Sequence, residues 1–167
     1  MKQYTDKELL NIMIKEDANI NLENEFIKEF AERLFKKQLD TIKINDPITA
    51  SNYLKLKIGS EKREVFVAMH LDTQGNLVGY EEVFKGTIDS CVVHPREIFR
   101  GAILNCANSI IVAHNHPGGS LSPSGADLNV TKRLIDGGDL LGIEVLDHII
   151  VTKNNFTSIR KEYGELW

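Results

Sequence analysis

Ser109-Ile110-Ile111-Val112-Ala113-His114-Asn115-His116-Pro117-Gly118-Gly119 leads through Ser122-Pro123-Ser124 to Asp127. The first five residues are a short, nearly unbroken apolar run, which predicts a buried strand with His114 at its carboxyl end. Successive strand side chains point to opposite faces, so His114 and His116, one residue apart, face the same way and can grip one ion. Pro117, Gly118 and Gly119 break regular structure. Ser122-Pro123 restarts it, with Ser122 as N-cap and proline in the first helical position. Ser124 and Asp127 then fall in the first turn of that helix, three residues apart and on one side. A strand end and a helix start converge, and Asp127 becomes the third ligand. Three protein ligands leave one corner of a tetrahedral zinc open, as in catalytic rather than structural zinc sites. The competing reading of an isolated His-x-His is a surface turn with a capping residue; the buried strand before it and the helix start after it favour a metal.

The flanking sequence predicts a sheet with helices around it. Asp46-Pro47 is an N-cap and first-turn pair that opens a helix to about Leu56, and a strand begins at Arg63. Val65, Val67, Met69 and Leu71 alternate as an apolar face, with Glu64, Phe66, Ala68 and His70 turned the other way. Asp72-Thr73-Gln74-Gly75-Asn76 is a turn into a hairpin strand from Leu77 through Phe84. Pro95 starts a helix through Cys106, with Ile98, Phe99, Ala102 and Ile103 inward. The sequence after Pro123 gives a helix to about residue 136, ended or loosened by Gly137-Gly138, and a strand over 144–151. The expectation is an α/β fold, an α+β mixed sheet flanked by helices in a three-layer arrangement.

Val93-His94-Pro95-Arg96-Glu97-Ile98, His114-Asn115-His116-Pro117, Ser122-Pro123-Ser124 and Leu146-Asp147-His148-Ile149-Ile150-Val151 resemble the RadC-like branch of the JAMM, or MPN+, metalloprotease superfamily. The similarity covers roughly residues 45 to 167, and the segments match in order. It implies a JAMM/MPN domain, similar to the cytidine-deaminase arrangement, with Zn2+ as cofactor. Carried over by position, it implies that His114, His116 and Asp127 bind zinc and that Ser124 steadies a tetrahedral intermediate. It places the general base at Glu64. The residues alone leave Glu61, Glu81, Glu82 and Glu97 as alternatives, and a capping role as the alternative for Ser124.

The implied activity is hydrolysis of a peptide, isopeptide or related amide bond, with an accessory role in DNA repair or recombination as the competing reading. Zinc can lower the pKa of bound water to about 7, so that a carboxylate need only orient the water and move its proton. His94 is read as a cap, His70 as a strand residue. Asp147 and His148 lie on opposite faces of a strand, so only one of them can support the metal ligands.

At 167 residues with 42% hydrophobic content, the chain suits one well-buried core. Thr5-Asp6-Lys7-Glu8 is a capping box before Leu9, Leu10, Ile12 and Met13, and Phe26, Ile27, Phe30, Ala31 and Leu34 repeat at helical spacing. The expected division is a helical segment over 1–44 and a metal-binding domain over 45–167. Cys91 and Cys106 lack a C-x-x-C partner and read as reduced thiols of a cytosolic core. No apolar run approaches about 18 residues and no hydrophobic signal core opens the chain, so a cytoplasmic protein without membrane contact is expected. Net charge is −4, and Lys36-Lys37, Lys132-Arg133 and Arg160-Lys161 are isolated pairs rather than a basic cluster. Longer RadC proteins carry a helix-hairpin-helix segment with a glycine-rich turn, whereas no glycine occurs between Met1 and Ile58. Both features argue against direct DNA binding. The expected partners are an amide-linked substrate and a second copy of the chain.

Overall fold

The computed structural model describes residues 42–86 and 94–167. The helices expected over the first forty residues, and Cys91, lie outside the described residues.

Asp46 caps helix α1, Pro47–Ile58, by accepting from the N–H groups of Ile48 and Thr49 at 2.8 and 2.9 Å. Strand β1, Glu64–Leu71, turns through Asp72 into β2, Leu77–Gly86. The Asp72 carboxylate accepts from the Gln74 and Asn76 amides, and Gly75 takes a φ of 79°, a conformation costly for residues with a Cβ. Helix α2, Pro95–Leu104, leads to β3, Ser109–Asn115; helix α3, Gly125–Leu141, leads to β4, Glu144–Val151. Strand β5, Phe156–Ser158, and the short helix α4, Ile159–Glu162, follow; the sequence reading had not anticipated either.

The strands form one mixed sheet in the order β2-β1-β3-β4-β5. Strands β3 and β4 are parallel and joined by helix α3, while β1 runs antiparallel to both β2 and β3. Phe66, Ala68, Ile110 and Val112 form a core with Ile98, Phe99 and Ala102 of α2 and Leu134 of α3. Helix α1 packs on the other face, where Tyr53 meets Tyr80 edge to face at 5.7 Å. This is the expected three-layer α/β fold.

Both sides of β1 are therefore covered, which corrects the expectation of one core face: Phe66, Ala68 and His70 are buried as fully as Val65 and Val67. Ile103, expected inward, is exposed, because α2 meets the sheet only along Ile98, Phe99 and Ala102. Cys106 is exposed in a left-handed backbone conformation just past α2, not in a core.

Two expectations about α3 also change. Its N-cap is Ser124 rather than Ser122, so Pro123 precedes the helix. Nor does Gly137-Gly138 end it; the helix continues to Leu141 and stops at Gly142, whose φ of 69° is a left-handed cap. The two glycines serve close packing. A Cβ on Gly137 would lie 3.2 Å from the Phe99 ring, and one on Gly138 would lie 2.5 Å from the Ile143 carbonyl oxygen.

Candidate metal centre

His114 lies in the buried end of β3 and His116 just beyond it, while Asp127 is the third residue of α3. The helix start brings its carboxylate onto the two rings. His114 Nε2 and His116 Nε2 are 2.9 Å apart, and they lie 3.3 and 3.8 Å from Asp127 Oδ1 and Oδ2. One ligand atom from each residue falls within 4.8 Å of the others, a grouping able to hold a metal ion. His114 and Asp127 are buried, and His116 is half-buried, so the cluster opens on one side.

The donor set fits a cation. His116 Nδ1 sits 2.9 Å from the Ser120 carbonyl oxygen, which can only accept, so the ring proton is on Nδ1 and Nε2 offers its lone pair. Burial would raise the Asp127 carboxyl's pKa, but the adjacent His114 ring and the hydrogen bonds from the hydroxyl and N–H of Ser124 outweigh that and hold it well below the usual carboxylate range. An ionised carboxylate and imidazole nitrogens converge where positive charge satisfies them.

Ser124 and Asp127 form a capping box. Ser124 Oγ donates to Asp127 Oδ2 at 2.7 Å and accepts from the Asp127 amide at 3.2 Å. The Ser124 amide donates to the same carboxylate oxygen at 2.7 Å. Asp127 is thus held by two groups of one residue.

Glu64 opens β1 and is half-buried. Phe66 pairs with His114, and Glu64, two residues before Phe66 on the same strand, lies on the face of Phe66 and His114. Glu64 lines a cleft of about 490 Å³ with Lys62, Arg63, Pro117 and Gly118. His116 lines a second cleft, of about 610 Å³, with Lys62, Pro117, Gly119 and Lys153. The two clefts flank the loop 117–119. Three of the rival carboxylates are in ion pairs, Glu61 with Lys85, Glu81 with Arg100, and Glu97 with Arg96.

The sequence reading treated Asn115 only as the spacer between the histidines. Pointing away from the metal face, its buried side chain accepts from Val65 N–H at 2.7 Å and donates to the carbonyls of Glu61 and Arg63, both at 3.1 Å. It clasps the segment that carries Glu64. Two further residues join from behind: His148 Nε2 is 2.8 Å from His114 Nδ1, and Thr131 Oγ is 2.6 Å from His148 Nδ1. His148 is therefore the member of the Asp147-His148 pair on the metal face. Asp147 accepts instead from the Arg160 amide at 3.2 Å on the other side. Thr131 stands one helical turn after Asp127, a spacing that could have drawn attention to it in the sequence. His94 caps α2 through a long 3.4 Å contact with the Arg96 amide, and His70 is a buried strand residue whose Nδ1 lies 3.0 Å from the Asn105 amide nitrogen.

No helix among the described residues is long and apolar enough to cross a membrane. Comparison with known proteins matches the RadC-like JAB domain over residues 44–164. A UPF0758 protein of Finegoldia magna is 50% identical over 134 residues, 80% of this chain and 60% of that protein. A UPF0758 protein of Clostridium perfringens is 39% identical over 134 residues, 80% of this chain and 59% of its own length. A UPF0758 protein of Methanosarcina mazei is 39% identical over 120 residues, 72% of this chain and 52% of the relative. The chain thus spans less than two thirds of the length of these relatives. With a mixed five-stranded sheet and the His114, His116 and Asp127 cluster in place, the chain belongs to the RadC-like JAB domain family.

Proposed function

We propose that this chain is a zinc-dependent hydrolase that cleaves a peptide, isopeptide or related amide bond, with His114, His116 and Asp127 as the metal ligands. The observation that carries the reading is the convergence of His114 Nε2, His116 Nε2 and the Asp127 carboxylate within 4.8 Å, open on the His116 side. Two imidazoles and one carboxylate suit zinc and leave a coordination position for solvent or substrate. Zinc bound there supplies Lewis acidity and a water acidified to a pKa of about 7.

The chain's own residues provide the rest. Glu64, on the same face as His114, takes the proton of the attacking water and returns it to the leaving amine. Ser124 donates to the oxygen that gains charge as the carbonyl is attacked. Its hydroxyl can turn to that task because the Ser124 amide keeps its own bond to Asp127 Oδ2. The cleft walls on either side of loop 117–119 receive the substrate.

The test combines metal analysis with turnover. Wild type should carry one zinc per chain, and His114→Ala none, with far-UV circular dichroism retained. Glu64→Gln should keep zinc and lose roughly 10² to 10⁴ in turnover on an amide-linked substrate that the wild type cuts. A zinc-loaded Glu64→Gln enzyme of wild-type activity would remove Glu64 from the mechanism; wild type that stays zinc-free after zinc-supplemented expression would refute the site. The same preparation should bind duplex DNA weakly at about 0.15 M salt, and tight, steeply salt-dependent binding would favour an accessory role in DNA repair instead.

A further inference from the structure

Behind the ligand cluster, Asp127 C=O, Thr131, His148 and His114 form a closed hydrogen-bonded chain that starts on the backbone of one proposed ligand and ends on the ring of another. We infer that Thr131 and His148 are positioning residues that lock His114 in the tautomer with its proton on Nδ1, so that Nε2 faces the metal position as a lone pair before any metal arrives. This deepens the metal-site reading and rests on it for its purpose, but the tautomer itself can be observed without a metal.

The direction of every bond follows from one fixed end. The Asp127 carbonyl oxygen is only an acceptor, so the Thr131 hydroxyl hydrogen is committed to it, at 2.7 Å. The 2.6 Å contact between Thr131 Oγ and His148 Nδ1 then requires the hydrogen to come from the ring. His148 is 0% exposed, and its two ring nitrogens meet a hydroxyl and another imidazole rather than a carboxylate, so nothing bonded to it offsets a buried charge; the ring is neutral and has one N–H. With that hydrogen on Nδ1, His148 Nε2 is an acceptor. At 2.8 Å from it, His114 Nδ1 must donate. The lone pair of His114 is left on Nε2, the atom 2.9 Å from His116 Nε2 and 3.3 Å from Asp127 Oδ1.

The reverse direction fails at its far end. If Thr131 donated to His148, the hydrogen between Thr131 Oγ and the Asp127 carbonyl would be withdrawn, and two oxygen lone pairs would oppose each other at 2.7 Å in a site that water does not reach. Phe66 seals the chain: its ring lies parallel to His114 at 6.0 Å and edge-on to His148 at 5.4 Å. Thr131, His114 and His148 are each 0% exposed, so no solvent competes for these bonds.

Two measurements test this. Long-range proton-nitrogen NMR on the metal-free, nitrogen-15-histidine protein, above about pH 8 where ordinary imidazoles are neutral, should show His114 and His148 both carrying their proton on Nδ1. A neutral His114 protonated on Nε2 would overturn the inference. The second measurement is zinc affinity by chelator competition. Thr131→Val keeps the shape but removes the hydroxyl, which frees His148 to present Nε2–H to His114 and turn a proton toward the metal. Affinity should fall about 10- to 100-fold, the usual effect of losing a ligand's hydrogen-bond support, while Thr131→Ser should stay close to wild type. A folded Thr131→Val protein with wild-type affinity refutes the positioning role. If that variant does not fold, the wild-type tautomer decides alone. If wild type binds no zinc but shows the tautomer, the metal reading fails and the lock stands.

Discussion

Replacing Asn115 by alanine tests whether the middle residue of His114-Asn115-His116 holds the segment that carries Glu64, the proposed general base. Its side chain makes three hydrogen bonds, to Val65 N–H and to the Glu61 and Arg63 carbonyls, and the residue is only 1% exposed. Alanine leaves the Val65 N–H buried without a partner, which costs about 1–3 kcal/mol. The two carbonyls lie nearer the surface, where water can replace the amide, so their loss adds about 1 kcal/mol together. The expected destabilisation is about 2–4 kcal/mol by denaturant unfolding of the metal-free protein. Asn115→Asp keeps the acceptor for Val65 but sets a carboxylate against two carbonyl oxygens, so it should be no better. Because Asn115 faces away from His114, zinc content should remain at the wild-type level while turnover falls with the loosening of Glu64. Hydrogen exchange at the Val65 amide reads the clasp directly and should accelerate in both variants. Asn115→Ala within about 0.5 kcal/mol of wild type, the range of ordinary surface substitutions, with the Val65 amide as protected as before, would refute the clasp.

Gly138→Ala should destabilise the protein by roughly 1–3 kcal/mol, because its Cβ would lie 2.5 Å from the Ile143 carbonyl oxygen, a backbone atom that cannot yield. Alanine's better helix propensity, about 1 kcal/mol, acts the other way, so a raised Tm would show that packing is not the reason for glycine there. The buried His70 gives a pH dependence remote from the metal. Burial lowers its pKa, only partly countered by the charge of Glu81, so the neutral ring is the native form. Both states are neutral above the unfolded value of about 6.5; below it the unfolded chain takes up the proton first, and stability is lost until the folded pKa is reached. The contribution to the slope approaches about 1.4 kcal/mol per pH unit. Denaturant midpoints of wild type and His70→Gln between about pH 7 and 5 should diverge accordingly, and parallel curves would contradict the assignment.

Local rules in the sequence determined the strand at 109–115, the Asp46 cap, the Asp72 turn and the expectation that His114, His116 and Asp127 meet, because each depends on residues a few positions apart. An apolar run, a proline-glycine break and a helix start bring the two ends of one segment together without knowledge of anything else. Three-dimensional contacts decided the rest. Whether Phe66, Ala68 and His70 face water depended on α2 and α3 lying over them, elements distant in the chain. Gly137 and Gly138 look like helix breakers by propensity, but Phe99 and Ile143 occupy the space a Cβ would need. Nothing near Asn115 in sequence announces that its amide closes on residues about fifty positions earlier. Which of Asp147 and His148 stands behind His114, and that Thr131 joins it there, was decided only by the packing of α3 and β4. Which residues can hold a metal follows from residue type and spacing, whereas the proton we infer on His114 Nδ1 depends on hydrogen bonds across three elements, which only the packed fold creates.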